Sequence, residues 1–178
     1  QPFFMGVIVS VLVGVALTLP ISSAAICAAF GLTGLAGGAA VAGCCAQMVG
    51  FAVMSFRENR WGGLFAQGIG TSMLQVPNIV RHPQIWIPEI LSSAILGPIA
   101  ISKWIGMTNN ATGSGMGTSG LVGQIMTWQT MTVSENPVSV LIKILLFHFI
   151  LPAIVTLVFS EAMRTHNMIK KGDMELSI

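Results

Sequence analysis

Residues 35–56, LAGGAAVAGCCAQMVGFAVMSF, form an uninterrupted apolar stretch with no charged side chain. A helix that crosses a bilayer needs about 20 apolar residues, because the hydrocarbon core is about 30 Å thick. Gly34, Gly38 and Ala42 recur at every fourth position, and such a row of small residues predicts close packing against a neighbouring helix. The stretch therefore predicts a membrane helix in tight contact with other helices.

The composition of the whole chain supports the same class of protein. Hydrophobic residues make up 53% of the 178 residues and charged residues 8%, against about 25% charged residues in ordinary globular domains. The first charged residue is Arg57, so the preceding segment cannot supply the surface of a water-soluble domain. The net charge of +2 is too weak to predict nucleic-acid binding. Composition thus argues against a soluble enzyme, a DNA-binding module and a disordered chain.

Other apolar stretches lie on both sides of residues 35–56. They are residues 3–19, 21–32, 86–107 and 137–163. Residues 21–32 are short and follow Pro20, which indicates a half-helix beyond a kink. Two further apolar segments, 61–74 and 121–132, are too short to cross and predict re-entrant half-helices. We therefore predict an all-α, polytopic integral membrane protein with about five spanning helices and two re-entrant half-helices.

Most of the basic residues fall into two clusters, which are Arg57, Arg60 and Arg81, and then Arg164, Lys170 and Lys171. Cytoplasmic loops carry an excess of Lys and Arg, so both clusters are predicted inside the cell. The segment between residues 107 and 137 has one charge, Glu135, and is predicted outside. This topology is consistent only if residues 61–74 enter the membrane and return to the same side.

The most unusual stretch is residues 108–120, TNNATGSGMGTSG. Its polar side chains include Asn109, Asn110, Thr112, Ser114, Thr118 and Ser119. The glycine spacing formally matches a dinucleotide fingerprint, but membrane helices are the wrong context for that motif. Two interpretations stay open, which are a plain extracellular turn and a cavity loop that leads into a half-helix. In the second, free N–H groups and small hydroxyl and amide side chains suit a hydroxylated ligand such as a sugar.

Gln67, Gln75 and Asn78 accompany the other half-helix, residues 61–74. Two interrupted segments that enter from opposite faces are typical of a transporter core. An interfacial amphipathic helix is the alternative, but it would carry Lys or Arg on its polar face, and residues 61–80 contain none. We therefore predict that these amides approach the same ligand from the inner side.

His148 lies near the middle of residues 137–163. An ionisable group at membrane depth is a functional candidate, so His148 is predicted as a second ligand contact. The alternative is a histidine that is hydrogen-bonded to a neighbouring helix. The three cysteines lie in apolar stretches and are predicted to be small buried hydrophobes. No metal-ligand spacing, cofactor motif or catalytic constellation is present, so no metal, no cofactor and no catalytic residue is predicted.

Four longer stretches resemble a known bacterial family. They are GCCAQMVGFAVMSFRENRWGGLFAQGIGTSMLQVPNIVRHPQIWIPEILSSAILGPIA at 43–100, NNATGSGMGTSGLVGQI at 109–125, HFILPAIVTLVFSEAMR at 148–164 and KKGDMEL at 170–176. The family is the second family of phosphotransferase-system sugar permeases, the membrane IIC component, which includes proteins labelled perfringolysin O regulator-like. The resemblance covers residues 1–178. Its members are longer, so this chain resembles their carboxy-terminal half, as a single transmembrane domain.

The resemblance implies a multi-pass, lipid-embedded protein of the bacterial inner membrane that forms a homodimer. Such a permease binds a sugar outside and carries it inward, where a phosphorylated IIB protein transfers phosphate to it. The phosphoryl-carrying residue then lies on the partner, which leaves open whether this chain is itself an enzyme. The nearest string to the Gly-Ile-Thr-Glu signature of better-known sugar permeases is Gly-Pro-Ile-Ala at 97–100, which lacks the acid. The alternative is therefore a membrane sensor or regulator that binds a small ligand through a permease fold without transport.

Overall fold

The computed structural model describes residues 2–177, and all regular secondary structure within this range is helical. The only β-like pairing among these residues is one isolated bridge between Gly34 and Asn109. The all-α prediction is therefore confirmed. The α-helices are α1 (Pro2–Thr18), α2 (Ser23–Ala29), α3 (Gly34–Met54), α4 (Phe56–Phe65), α5 (Val76–Arg81), α6 (Ile87–Ala100), α7 (Ala111–Ser114), α8 (Val122–Met131), α9 (Pro137–Ile144) and α10 (Leu151–Thr165).

Helix α3 is the central element of the fold and packs against α1, α6 and α10. Nearly all of its residues are buried, since glycine and alanine allow the neighbouring backbones to come close. A Cβ atom on Gly43 would overlap the carbonyl group of Ser10 on α1, and one on Gly38 would overlap the carbonyl of Met107. The sequence predicted close packing of this helix, and the structure confirms it.

Within the described residues, two continuous helices are long and apolar enough to cross a membrane. One is Gly34–Met54, and the other is Pro137–Thr165, in which a π-helical turn joins α9 to α10. Helix α1 is apolar but shorter, and residues 21–32 contain only the seven-residue α2. The predicted span 86–107 is too long, because α6 ends at Ala100.

A turn follows the end of α6. Gly106 adopts a left-handed φ of 63°, which glycine reaches without steric cost. The N–H of Met107 then donates to the Ala100 carbonyl at 2.9 Å. Ile101, Ile105 and Met107 extend the apolar run past the end of the helix, although Ser102, Lys103 and Gly106 interrupt it. The sequence therefore predicted more spanning helices than the two described helices that are long enough to span.

Two helical hairpins occupy the places predicted for the re-entrant half-helices. The first hairpin, residues 56–81, runs through α4 and a π-helical turn (Ala66–Gly70), reverses at Thr71, and returns through a 3-10 turn and α5. The second hairpin, residues 109–131, contains α7, a 3-10 turn (Ser119–Leu121) and α8. The glycine-rich stretch is therefore a folded part of the protein rather than a plain turn.

The two clusters of basic residues meet at one end of the helical assembly. Arg57 pairs with Glu161 at 3.1 Å, and Arg164 pairs with Glu58 at 3.0 Å. Lys171 shares the lining of a surface cavity with Arg57 and Glu58. The first hairpin and the C-terminal part of α10 thus form a common, mostly basic end, and its cytoplasmic location stays a prediction.

Candidate functional site

A cavity of about 290 Å³ lies where the tips of the two hairpins and α2 come together. Its hydroxyl-bearing lining residues are Ser22, Ser23, Thr71 and Ser119. Its apolar walls include Leu17, Met48, Met73 and Met116. The glycine backbone at residues 70 and 115 completes the lining from the two hairpins. The arrangement combines a few hydroxyl groups with a mostly apolar surface in one concave space, which is the usual character of a small-molecule site.

The tip of the first hairpin is held by a buried hydrogen-bond network around Gln47 of α3. The Gln47 Oε1 atom accepts from Thr18 Oγ1 at 3.0 Å and from Trp86 Nε1 at 2.7 Å. Its Nε2 atom donates to Ser93 Oγ at 3.4 Å. Ser72, at the hairpin tip, lies 2.9 Å from Thr18 Oγ1. The network therefore fixes the position of the tip relative to α1, α3 and α6.

The second hairpin is fixed mainly by its own asparagines. Asn110 caps α7, because its Oδ1 atom accepts from the N–H of Gly113 at 2.9 Å. The N–H and carbonyl groups of Asn109 form the bridge to Gly34, and its Nδ2 atom donates to the Gly123 carbonyl at 3.2 Å. Both amides are thus occupied by the chain itself, and neither residue lines the cavity.

The other polar residues of the second hairpin differ in their burial and hydrogen bonding. Ser114 is buried and donates to the Leu32 carbonyl at 2.8 Å. Thr112 is exposed, whereas Thr118 is buried and its hydroxyl has no hydrogen-bond partner among residues 2–177. Of the six loop residues that the sequence singled out, Ser119 is the one that lines the cavity.

The three amides predicted at the first half-helix, Gln67, Gln75 and Asn78, form a second polar network. Gln75 Nε2 donates to Gln67 Oε1 at 2.8 Å, and Asn78 Nδ2 donates to Gln75 Oε1 at 2.9 Å. Gln67 also donates to Ser55 Oγ at 2.9 Å. Gln67 and Gln75 are completely buried. The structure thus brings these three residues to one another, and none of them lines the cavity.

The same network binds the C-terminal segment, residues 173–176. The carbonyl of Met174 accepts from Asn59 Nδ2 at 2.8 Å and from Gln75 Nε2 at 3.1 Å. The N–H of Leu176 donates to Asn59 Oδ1 at 2.8 Å, so Asn59 contacts the backbone on both sides of residue 175. The Met174 side chain is fully buried in a hydrophobic cluster with Phe51. The segment is therefore anchored to the first hairpin.

Met174→Ala is expected to release this segment. Truncation of a buried methionine removes roughly 2–5 kcal/mol of packing free energy, which corresponds to at least about a tenfold larger open population. Trypsin should therefore cleave after the exposed Lys171 at least about tenfold faster than in the unchanged protein. Glu175→Ala is the matched control, because the exposed Glu175 side chain is lost while the backbone hydrogen bonds stay. Equal cleavage rates for the two variants would contradict the anchoring role of Met174.

His148 lies on the π-helical turn between α9 and α10 and is completely buried. Its Nδ1 atom is 3.0 Å from Nε2 of Gln124 on α8. Its Nε2 atom has no hydrogen-bond partner within the described range. His148 does not line the cavity between the hairpin tips, and its part in ligand binding stays a prediction.

Sequence analysis did not single out Ser22, Ser23 or Thr71. Ser22 is the N-cap of α2, and Ser23 Oγ donates to the Gly115 carbonyl of the second hairpin at 2.6 Å. Thr71 marks the reversal of the first hairpin, where its Oγ1 atom accepts from the N–H of Met73. The available signal was positional, since Ser and Thr often occupy helix caps and turns. That signal indicates a turn and does not indicate a ligand.

Comparison with known proteins identifies the family. The family model described as "Phosphotransferase system, EIIC" matches residues 1–176. No curated protein matches the chain, and no solved structure matches it. The family match covers nearly the whole sequence, including α1 to α10, both hairpins and the C-terminal segment. This chain therefore belongs to the EIIC family of the phosphotransferase system, whose members are membrane components of sugar permeases.

Proposed function

We propose that this chain is the permease part (IIC) of a phosphoenolpyruvate-dependent sugar phosphotransferase system. In this role it binds a sugar and translocates it for phosphorylation by a partner IIB protein. Family membership supports the general role. The observation that carries the specific proposal is the cavity of about 290 Å³ between the tips of the two hairpins, since paired interrupted segments that meet at a ligand are typical of transporters.

The chemistry of the cavity lining suits a sugar. Sugar hydroxyls both donate and accept hydrogen bonds, and uncharged hydroxyl groups can pair with them without the burial of a charge. Ser22, Ser23, Thr71 and Ser119 bring such groups from α2 and both hairpins. Met73 and Met116 offer apolar surface to the C–H face of a sugar ring. The lining contains no ionisable side chain, which favours a neutral sugar over a charged ligand.

The residues that the sequence singled out have different proposed roles at this site. Ser119 is a direct contact, and Thr118 beside it is placed to become one. Asn109, Asn110 and Ser114 shape the second hairpin through their bonds to the chain. The remaining predicted residues stay proposed contributors at a distance from the cavity, and they are Thr112, Gln67, Gln75, Asn78 and His148.

A position in the bacterial inner membrane, as a multi-pass protein, accounts for the outer surface of the fold. Helix α1 exposes Phe3, Phe4 and Leu12, each more than half accessible. The Pro137–Thr165 helix is the more apolar of the two long helices, and 28% of its most apolar window is buried. Extended apolar surfaces of this kind mark lipid or protein contacts. Lipid and the second protomer of a homodimer are the proposed occupants.

The basic end of the assembly is the proposed cytoplasmic side, where the phosphorylated IIB protein would approach. Arg57 and Lys171 line a cavity of about 360 Å³ at that end, and Arg81 lines a neighbouring one of about 230 Å³. An excess of basic residues indicates the cytoplasmic face. Because the chain resembles the carboxy-terminal half of longer permeases, we propose that it works as part of such a chain.

Ser119→Trp is expected to abolish sugar binding by the full-length protein, because the indole would fill much of the cavity. We expect the affinity to fall at least about a hundredfold, as the hydroxyl contacts and the space are lost together. Isothermal titration calorimetry with the transported sugar measures the effect. Ser139→Trp is the control, since Ser139 is exposed on α9. Normal sugar binding by a folded Ser119→Trp protein would contradict the assignment of this cavity as the sugar site.

Uptake into proteoliposomes separates transport from sensing. Vesicles that contain the full-length protein and purified phosphorylated IIB are expected to accumulate at least one sugar of a broad panel as its phosphate. A sugar that binds and raises the thermal stability of the protein without uptake would instead support the alternative, a membrane sensor that uses a permease fold.

A further inference from the structure

The carboxyl group of Glu89, in the first turn of α6, is completely buried. Neither of its oxygens has a hydrogen-bond partner within residues 2–177. Other shielded acids are paired, since Glu58 contacts Arg164 at 3.0 Å and Asp173 accepts from the N–H of Lys170 at 2.8 Å. An ionised carboxylate that is buried without a partner is strongly unfavourable, so a native protein neutralises or coordinates it.

No side chain among residues 2–177 provides a counter-charge. Helices α1 and α3 contain no charged residue, and Glu89 is the only one in α6. Helix α10 carries Glu161 and Arg164. Arg164 is bonded to Glu58 and to the Met54 carbonyl, and Glu161 is bonded to Arg57. Glu89 is therefore neutralised either by a proton or by a cation from outside the described residues.

The surroundings of Glu89 supply further oxygen atoms. A Cβ atom on Gly50 of α3 would lie 2.9 Å from Thr156 Oγ1 of α10 and 3.2 Å from Glu89 Cγ. Glu89 and Thr156 therefore meet over the same position of α3, where a glycine leaves room for both. The Thr156 hydroxyl is buried and also has no hydrogen-bond partner in the range that the structure covers.

Two more buried serines with unpaired hydroxyls lie one helical turn away, one on α6 and one on α10. Ser92 follows Glu89 by three residues on α6, and Ser160 follows Thr156 by four on α10, so each lies on the same helix face as its neighbour. Both are completely buried, and both hydroxyls lack partners among the described residues. A helical serine ordinarily donates to the carbonyl four residues earlier, as Ser93 does to Glu89 at 2.8 Å. These hydroxyls are thus free to contact a ligand.

We propose that the Glu89 carboxylate and the Thr156 hydroxyl form a binding site for Na⁺ between α6 and α10, with the Ser92 and Ser160 hydroxyls one turn farther along their helices. Carboxylate and hydroxyl oxygens are the ligands that hard cations prefer. A single carboxylate balances the charge of a monovalent ion, whereas a divalent ion would leave a net positive charge in an apolar interior. None of these residues lines the cavity between the hairpin tips, so the site is separate from the proposed sugar site.

The test is thermal unfolding of the full-length protein in detergent, in NaCl or in choline chloride at equal ionic strength. Na⁺ is expected to raise the melting temperature with a saturable concentration dependence, because it binds the folded state. Glu89→Gln should abolish this response. Thr156→Val, which is nearly isosteric, should shift the half-saturating Na⁺ concentration upward about tenfold. Glu161→Gln is the control on α10 and should respond as the unchanged protein does.

Identical melting temperatures of the unchanged protein in NaCl and choline chloride would overturn the proposal. Stability that depends on pH but not on Na⁺ would assign the neutralising charge to a proton and would overturn it as well. If Glu89→Gln does not fold, an unchanged half-saturating concentration in Thr156→Val still contradicts the site. None of these outcomes depends on sugar uptake, so the proposal and the permease function are tested independently.

Discussion

Gly43→Ala is expected to destabilise the protein by about 3 kcal/mol, at the upper end of the measured cost of overpacking a core. The added methyl group would overlap the carbonyl and Cα atoms of Ser10 on α1. These are backbone atoms, so no side-chain rotation can relieve the contact. Helix α1 would have to move away from α3, and its contacts with α6 would be lost at the same time. Unfolding in denaturant, followed by circular dichroism in detergent, measures the change.

Gly62→Ala is the matched control for that experiment. Gly62 lies in α4, and a Cβ atom there would meet nothing within 4 Å. Alanine stabilises a helix interior by up to about 1 kcal/mol relative to glycine, so this variant should be as stable as the unchanged protein or slightly more stable. A Gly43→Ala protein that matches Gly62→Ala in stability would show that α1 and α3 do not pack as closely as described.

Gln47→Leu is expected to reduce the free energy of unfolding by about 2–6 kcal/mol, since each of two donors left unpaired costs roughly 1–3 kcal/mol. The Thr18 hydroxyl and the Trp86 indole N–H would both lose their acceptor. Because Thr18 also contacts Ser72 at the tip of the first hairpin, sugar binding should weaken with stability. Chemical denaturation and sugar titration of the same preparation measure both effects.

The control for this variant is Gln129→Leu. Gln129 is exposed on α8, so the same chemical change there removes no buried hydrogen bond and should leave the free energy of unfolding nearly unchanged. If Gln47→Leu behaved like Gln129→Leu, the buried network would not be what positions the hairpin tip.

The helical class, the tight packing of α3 and the positions of both hairpins follow from local patterns in the sequence. Apolar runs, the spacing of small residues and the places where glycine interrupts a run are visible without tertiary information. The end of α6 at Ala100 is less visible in this way. Ile101, Ile105 and Met107 continue the apolar run, and Ser102, Lys103 and Gly106 are the local signals of the turn.

The identity of the cavity residues depends on tertiary structure. Asn109 and Asn110 have the chemistry of ligand contacts, but their amides complete the backbone hydrogen bonds of the second hairpin. Ser22 and Ser23 come from the distant α2 and meet the hairpin at Gly115. A polar side chain can satisfy the chain or a ligand equally well. Which of the two it serves is decided by neighbours far away in the sequence.

The burial of Glu89 likewise depends on tertiary structure and could not be predicted from the local sequence. In the sequence it is an acid in the first turn of a helix, a position that the helix dipole stabilises in many soluble proteins. Its enclosure against Gly50 and Thr156 arises only when α6 and α10 pack on α3. The unpaired state of its carboxyl group is therefore a property of the fold and not of the local sequence.

The most direct test of the proposed function is the labelling rate of Ser119→Cys in the full-length protein with a small maleimide. The substitution is nearly isosteric, and it places a thiol in the cavity between the two hairpin tips. The sugar that the protein takes up is expected to slow this labelling in a saturable manner, with half-protection near its binding constant, while labelling of Ser139→Cys on the outer face of α9 stays constant. A protein that takes up the sugar but shows the same Ser119→Cys labelling rate at every sugar concentration would contradict the assignment of this cavity as the sugar site.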